Sequence, residues 1–378
     1  MTPGQSPGPA GPAPAASERT WARSRTDNRP ATVPGARRVG PPHRSSTAPP
    51  LAGTASHSSD RNAWRLTEFG EALHAHAVRL LVLEDEIGAL VQRVMPTGFL
   101  AVTPLGGARE SCFLAHQVVV AGHAGVVGIK PGHFSGADER GRTPAFDQLF
   151  VDVGAESADE VAAMGIRVGS QVTWTGPLTR LGKGERVTAK AIDNRLSCAV
   201  LCEVLRQRRD SSAPAPRARV VLAFTSQEEV GLRGAKAAAC RLHPDVALAV
   251  DTVPCGGTPD VPAAVCTTDI GRGPVLPLMA RGGGGGGYLA HPAMVAWLEE
   301  TAAAAGVPLQ LDLTRGGNND AAAMQQAGAG AAALALCLPR RYSHSPVEMA
   351  DLRDARGASK LIAALIADFS ADRSFAFA

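Results

Sequence analysis

The sequence predicts an α/β protein, a mixed sheet flanked by helices, with an all-β module inserted into it. Two patterns point there. After residue 190, apolar residues alternate between a period near 3.6 and short continuous runs, as helices and buried strands do when they follow one another. Between residues 89 and 178 the apolar runs are short and punctuated by Gly and Pro, as in a barrel or sandwich.

Composition sets the bounds. A chain of 378 residues suggests two or three domains, and 45% hydrophobic residues suffice for a sizeable core. Aromatic residues are only 4%, so that core rests on Ala, Val and Leu. Residues 1–60 carry seven Arg, no Lys and the acids Glu18, Asp27 and Asp60, whereas the rest of the chain is close to neutral. A near-neutral body lacks the basic footprint of a nucleic-acid binder. The same 60 residues hold 11 of the 28 prolines, one Leu and no Ile. So little apolar area cannot offset the entropy of ordering, and a disordered tail is expected.

The seven cysteines include no CxxC pair, which is read as free thiols in a reducing compartment, with the cytoplasm as the location. No apolar run approaches the roughly 18 residues of a membrane span, and no apolar leader core opens the chain.

The β module is expected to use the runs Ala89–Val91, Gly98–Val102, Gln117–Val120, Val126–Ile129, Leu149–Val153 and Gln171–Trp174. One short helix is expected at 157–165, where Ser157 and Glu160 have the spacing of a capping box. Helices are then expected over Asp193–Arg208 and residues 232–241, 292–305, 319–328 and 351–370. Strands are expected at Val220–Phe224, Val246–Val250 and Ala332–Leu338, the first as a run buried on both faces. The implied organisation is a tail at 1–60, an α/β domain from 61–89 and 179–378, and the β module at 90–178.

Four element ends carry acid or imidazole. Asp193 opens a helix, Glu228 and Glu229 follow the run Val220–Phe224, Asp251 ends a strand, and His344 lies just past another. In open α/β sheets ligands sit beyond the carboxyl ends of the strands. Three carboxylates and one imidazole suit Zn, Co or Mn, and a carboxylate can bridge two ions. Adjacent residues of an extended segment point to opposite sides. One of Glu228 and Glu229 can therefore ligate while the other serves as a base. Singly each residue has an ordinary structural explanation, a helix cap for Asp193 or a solvated turn for the Glu pair. Their joint placement at one rim is the argument.

The chain resembles the tetrahedral, dodecameric metallo-aminopeptidases, a group that includes glutamyl aminopeptidases and proteins labelled endoglucanases. The motifs that carry the likeness are Asp85-Glu86-Ile87-Gly88, Asp193-Asn194-Arg195, Gln227-Glu228-Glu229-Val230-Gly231, Asp251, Gly317-Asn318-Asn319-Asp320 and Arg341-Tyr342-Ser343-His344-Ser345-Pro346-Val347-Glu348-Met349. They run from about Asp85 to Ile366.

The resemblance implies a zinc-peptidase-like fold with an inserted β-barrel used for assembly, small peptide substrates and a homo-oligomer, a dodecamer. It also implies two divalent metal ions, zinc or cobalt, per chain. By the same likeness Asp193 bridges the ions, Glu229 and His344 complete one site, Asp251 serves the other, Glu228 is the general base, and Asp85 orients a metal-binding histidine two residues before it. This chain departs from that pattern, because Leu83 stands where the histidine belongs. One tight and one weak ion are expected. The abrupt return of the pattern at Asp85 points to a shifted reading frame or misassigned start upstream. Two rival functions follow: a non-catalytic assembly subunit of the same fold, and a related metal-dependent deacylase or glycosidase.

Overall fold

The computed structural model describes residues 88–210, 212, 216–282, 286–313, 316–370 and 372–375. All of them belong to one compact unit, Ser56–Ala378. The tail expected at 1–60, and the segment containing Leu83 and Asp85, lie outside the described residues.

Six short strands close into a barrel in the order β1-β2-β5-β4-β3-β6. They are β1 (Ala89–Val94), β2 (Leu100–Pro104), β3 (Gln117–Val120), β4 (His123–Val127), β5 (Phe150–Asp152) and β6 (Gln171–Trp174). Every pairing is antiparallel. The barrel alternative of the sequence is therefore the observed one. Alternating apolar residues fill its interior: Val91, Leu100, Val102, Val118, Val120, Val127, Val151 and Val172 are buried. Trp174 and Phe113 plug it with ring centroids 4.7 Å apart, and neither is exposed at all. Helix α1 (Ala158–Ala163) caps as expected, with Glu160 N donating to Ser157 Oγ at 3.2 Å.

The remaining residues build the α/β part. Its four-stranded sheet runs β13-β10-β14-β9, from β9 (Val246–Pro254), β10 (Val275–Pro277), β13 (Gln310–Asp312) and β14 (Ala332–Arg340). The sheet is mixed: β9 and β14 are parallel, as are β10 and β13, while β10 and β14 are antiparallel. Four helices pack with it: α2 (Ile192–Arg209), α4 (Pro292–Ala305), α5 (Asp320–Gln325) and α6 (Leu352–Asp368), with α3 (Arg233–Leu242) preceding β9. Helix α4 starts on a Pro in its first turn and stops at Gly306, whose φ of 62° is left-handed.

The core joins Val200 and Val204 of α2, Leu334, Leu336 and Leu338 of β14, Trp297 and Leu298 of α4, and Leu361 and Leu365 of α6. Two further antiparallel sheets complete the fold. One is β15-β8-β7, from β7 (Thr179–Leu181), β8 (Arg186–Ala189) and β15 (Glu348–Asp351); the other pairs β11 (Met279–Arg281) with β12 (Gly287–Leu289). Among the described residues no helix is long and apolar enough to cross a membrane. The seven cysteines are all free thiols.

Two expectations need correction. The run Val220–Phe224 forms no strand. Val221 and Phe224 are 46% and 40% exposed, so the run lacks the cover that burial on both faces requires. The helix expected at 319–328 is only six residues long, Asp320–Gln325. The glycines at 328 and 330, both at positive φ, turn the chain toward β14 instead.

The barrel depends on its aromatic plug. Trp174→Ala removes a fully buried side chain from a closed barrel that cannot collapse around the void. The expected loss is about 3–5 kcal/mol of unfolding free energy, read by urea denaturation. A loss below about 1 kcal/mol contradicts this account of the plug.

Candidate active site

The site lies where β9, β14, β8 and the 226–233 turn come together. Strand β14 ends at Arg340, and its register sets Cys337 opposite Asp251 of β9. Ala191, with a left-handed φ of 54°, turns the chain sharply after β8 so that Asp193 enters the first turn of α2 beside both strands. Asp193 and Asn194 are joined by a cis peptide bond. The Asn194 side chain reaches β9, donating to Asp251 Oδ1 at 2.8 Å and to the Val250 carbonyl at 3.2 Å.

Between β14 and β15 the chain loops out, closed at its neck by Arg341 and Met349 through paired backbone bonds of 3.0 and 3.1 Å. Tyr342 and His344 of this loop take φ values of 59° and 54°. Such left-handed, non-glycine residues persist only where their surroundings hold them. Here the His344 N–H donates to Glu348 Oε1 at 2.8 Å, and Ser345 Oγ donates to the Tyr342 carbonyl at 2.6 Å. On the other side, Gly231 and Leu232 donate to the Glu228 carbonyl, and Gln227 at φ 62° starts the turn that presents the two glutamates.

Three of the residues singled out from sequence meet. Asp193, Glu229 and His344 each offer a ligand atom, and those atoms lie within 4.8 Å of one another. His344 Nε2 is 3.5 Å from Asp193 Oδ2 and 3.4 Å from Glu229 Oε1. Asp251 is buried beside this trio but outside it. Its Oδ1 accepts from Asn194 and from its neighbour's backbone, Thr252 N, at 2.6 Å. Asp85 lies outside the described residues.

The electrostatics are those of a crowded acid cluster. Burial, then the nearby charges of Glu229, Asp193 and Asp320, push Glu228 up to about 8. Burial and Asp193 raise Glu229, and burial, Asp193 and Glu228 raise Asp251 well above the ordinary carboxylate range. Burial also opposes ionisation of Asp193, but Arg340 and His344 outweigh it and hold that carboxyl low. His344 is drawn up to about 9 by its hydrogen bond to Asp193. Carboxyls that resist ionisation together, around an imidazole that takes up a proton, are groups arranged for a cation. The donor chemistry fits a divalent ion of the zinc or cobalt kind.

Sequence reasoning missed two supports. Glu348, not exposed at all, accepts from Asp193 N at 2.9 Å, from His344 N and from Arg340 Nη1 at 2.5 Å. Arg340, 2% exposed, also reaches Asp193 Oδ2 at 2.5 Å. The available signal was an acid inside the apolar strand segment Val347–Ala350 and a charge closing the apolar run of β14. The barrel contributes as well. A Cβ at Gly106 would come 3.1 Å from Glu229 Oε2, and one at Gly107 would overlap the His344 ring. Only glycine lets the loop after β2 approach this closely.

A mixed sheet with acid and imidazole donors converging at its rim, beside a closed six-stranded barrel, defines the metallo-aminopeptidase class. The chain belongs to the M42 glutamyl aminopeptidase family, whose profile matches residues 72–361. It is thus an aminopeptidase, a hydrolase of peptide bonds. Among its relatives is the lysyl aminopeptidase of Pyrococcus furiosus, 31% identical over 288 residues, which cover 75% of this chain and 79% of the relative. Among solved structures, aminopeptidase APDkam598 from Desulfurococcus kamchatkensis is 38% identical with a TM-score of 0.70, covering 76% of this chain and 78% of that one. The Pyrococcus horikoshii TET1 peptidase, which can assemble into a tetrahedron or a large octahedral shell, is 28% identical with a TM-score of 0.65, over 75% and 82% of the two chains.

Glu348 accepts from three donors with two oxygens, which a glutamine cannot reproduce, because its amide nitrogen would face an N–H. Glu348→Gln should cost about 1–3 kcal/mol of stability. It should also weaken divalent-metal binding by about 10- to 100-fold, measured by isothermal titration. Unchanged affinity would show that Glu348 does not orient the ligands.

Proposed function

We propose that this chain removes N-terminal residues from short peptides with a metal-activated water. The observation that supports this best is the meeting of Asp193, Glu229 and His344 within one ligand shell, with Glu228 next to Glu229 in the chain. Asp193, Glu229 and His344 would hold one ion. Asp193 would bridge to a second, held with Asp251 and weakened by Leu83 in place of a histidine. Zinc or cobalt suits this donor set. When bound, the metal supplies Lewis acidity, lowering the pKa of a water and polarising the scissile carbonyl.

The chain's own residues do the rest. Glu228 takes the proton of the attacking water and returns it to the leaving amine; its raised affinity for protons suits a group that must hold one between the two transfers. Glu229, next to it, stays with the metal. Asp251 and Glu229 give the rim a negative face toward the positive α-amine of a peptide. The Gly106–Gly107 backbone closes over Glu229 and His344 and narrows the water-accessible side. Asp85 would orient the metal-binding group two positions before it. The two glutamates are adjacent in sequence, which disfavours a glycosidase, whose carboxyls face one bond across about 5–9.5 Å.

Assembly as a homo-oligomer of the tetrahedral, dodecameric kind is part of the same proposal, supported by the likeness to self-assembling TET peptidases. The free thiols support a reducing compartment, and the cytoplasm is the location proposed.

Glu228→Gln is the decisive variant. It should lower kcat on tripeptides by at least about 100-fold while metal content by mass spectrometry stays unchanged. Chelation of the wild type should abolish activity, and added Co or Zn should restore it. Turnover retained in Glu228→Gln removes that residue from the chemistry.

A further inference from the structure

We propose that Arg340 is a positioning residue that restricts this acid cluster to one tightly held divalent cation, because its guanidinium occupies the flank of Asp193 that a second ion would share. The inference rests on the metal-dependent reading above and concerns a residue that reading does not use. Three observations support it.

The first is placement. Arg340 Nη1 lies 2.5 Å from Asp193 Oδ2, the same oxygen that faces His344 Nε2 at 3.5 Å. A carboxylate that bridges two ions offers an oxygen to each. Here one of those oxygens is already bonded to a fixed positive charge on the protein.

The second is rigidity. Arg340 is the last residue of β14 and is 2% exposed. The same Nη1 bonds Glu348 Oε1 at 2.5 Å, and Glu348 also holds the backbone N–H groups of Asp193 and His344. Swinging Arg340 aside would strand a buried carboxylate. The guanidinium stays charged throughout the working pH range. Its neighbour Arg341 cannot stand in, being bonded to Asp269 Oδ1 at 2.7 Å and to the Gly257 carbonyl at 2.9 Å.

The third is the state of Asp251. This acid is the remaining protein donor for a second ion among the described residues named above, yet it falls outside the ligand trio. Its Oδ1 accepts two N–H bonds, from Asn194 and Thr252. A second cation would have to compete with those bonds and face the repulsion of Arg340 across Asp193. The protein meets part of the cluster's demand for positive charge itself.

The test is metal stoichiometry on the full-length chain, by isothermal titration with Co or Zn and by mass spectrometry after gel filtration. The wild type should retain one ion. Arg340→Gln removes the charge and should retain a second ion, or bind it at least about tenfold more tightly. Arg340→Lys keeps the charge and should remain at one ion. A purely structural role predicts a different result, with both variants losing the first ion, and that result overturns the proposal. So does an unchanged stoichiometry and affinity in Arg340→Gln. If Arg340→Gln does not fold, the wild type decides: one retained ion supports the proposal, and two refute it while leaving the peptidase reading intact. A wild type that binds no ion removes both.

Discussion

The buried carboxylate of Glu348 is the interaction on which the site depends. It gathers Asp193 at the head of α2, His344 in the β14–β15 loop and Arg340 at the end of β14 onto two oxygens. None of these elements would hold its position alone. The loop carries two left-handed residues, and Asp193 follows another at Ala191. Each such position costs about 1–3 kcal/mol and persists only where surrounding bonds over-determine it. Glu348 supplies those bonds, and β15 supplies Glu348, through its register of Glu348 with Ala189 on β8. The small β15-β8-β7 sheet therefore places the chemistry, while the larger four-stranded sheet provides the floor.

Charge balance explains why so many acids can gather there. Asp193, Glu228, Glu229, Asp251 and Glu348 face only Arg340 and His344 as positive partners. Desolvation is the first cause opposing ionisation at every one of the five, and mutual repulsion adds to it. Only Asp193 stays low, because it alone bonds both Arg340 and His344. A divalent ion among these donors would relieve the repulsion and displace the proton from His344. The cost of burying the acids is thus linked to the affinity for the metal.

Most of this was legible in the sequence because it was carried by local signals. The barrel strands at Gln117–Val120 and Gln171–Trp174 appear at the residues where alternation and turn chemistry put them. The trio of Asp193, Glu229 and His344 was readable because each residue sits at an element end, where ligand groups collect. What escaped was set by tertiary context. Val220–Phe224 has the composition of a buried strand, but composition cannot show whether neighbours cover it. Glu348 lies in a strand whose burial pattern is otherwise apolar, and nothing local tells an acid buried for a purpose from one facing water. Arg340 follows an apolar run and looks like an ordinary strand end. Its role exists only because Asp193, 147 positions earlier, folds onto it.

The barrel and the active site are also less separate than their sequences suggest. The loop after β2 brings Gly106 against Glu229 and Gly107 against His344, so the barrel's edge forms one wall of the site. β2 is fixed by pairing with β1 and β5, and the barrel interior beneath it is closed by Phe113 and Trp174. A module that contributes no ligand therefore helps to set the space around two of them. An inserted domain that served assembly alone could tolerate side chains in that loop. The glycines show that this one must also let the backbone come within contact distance of the metal-binding groups.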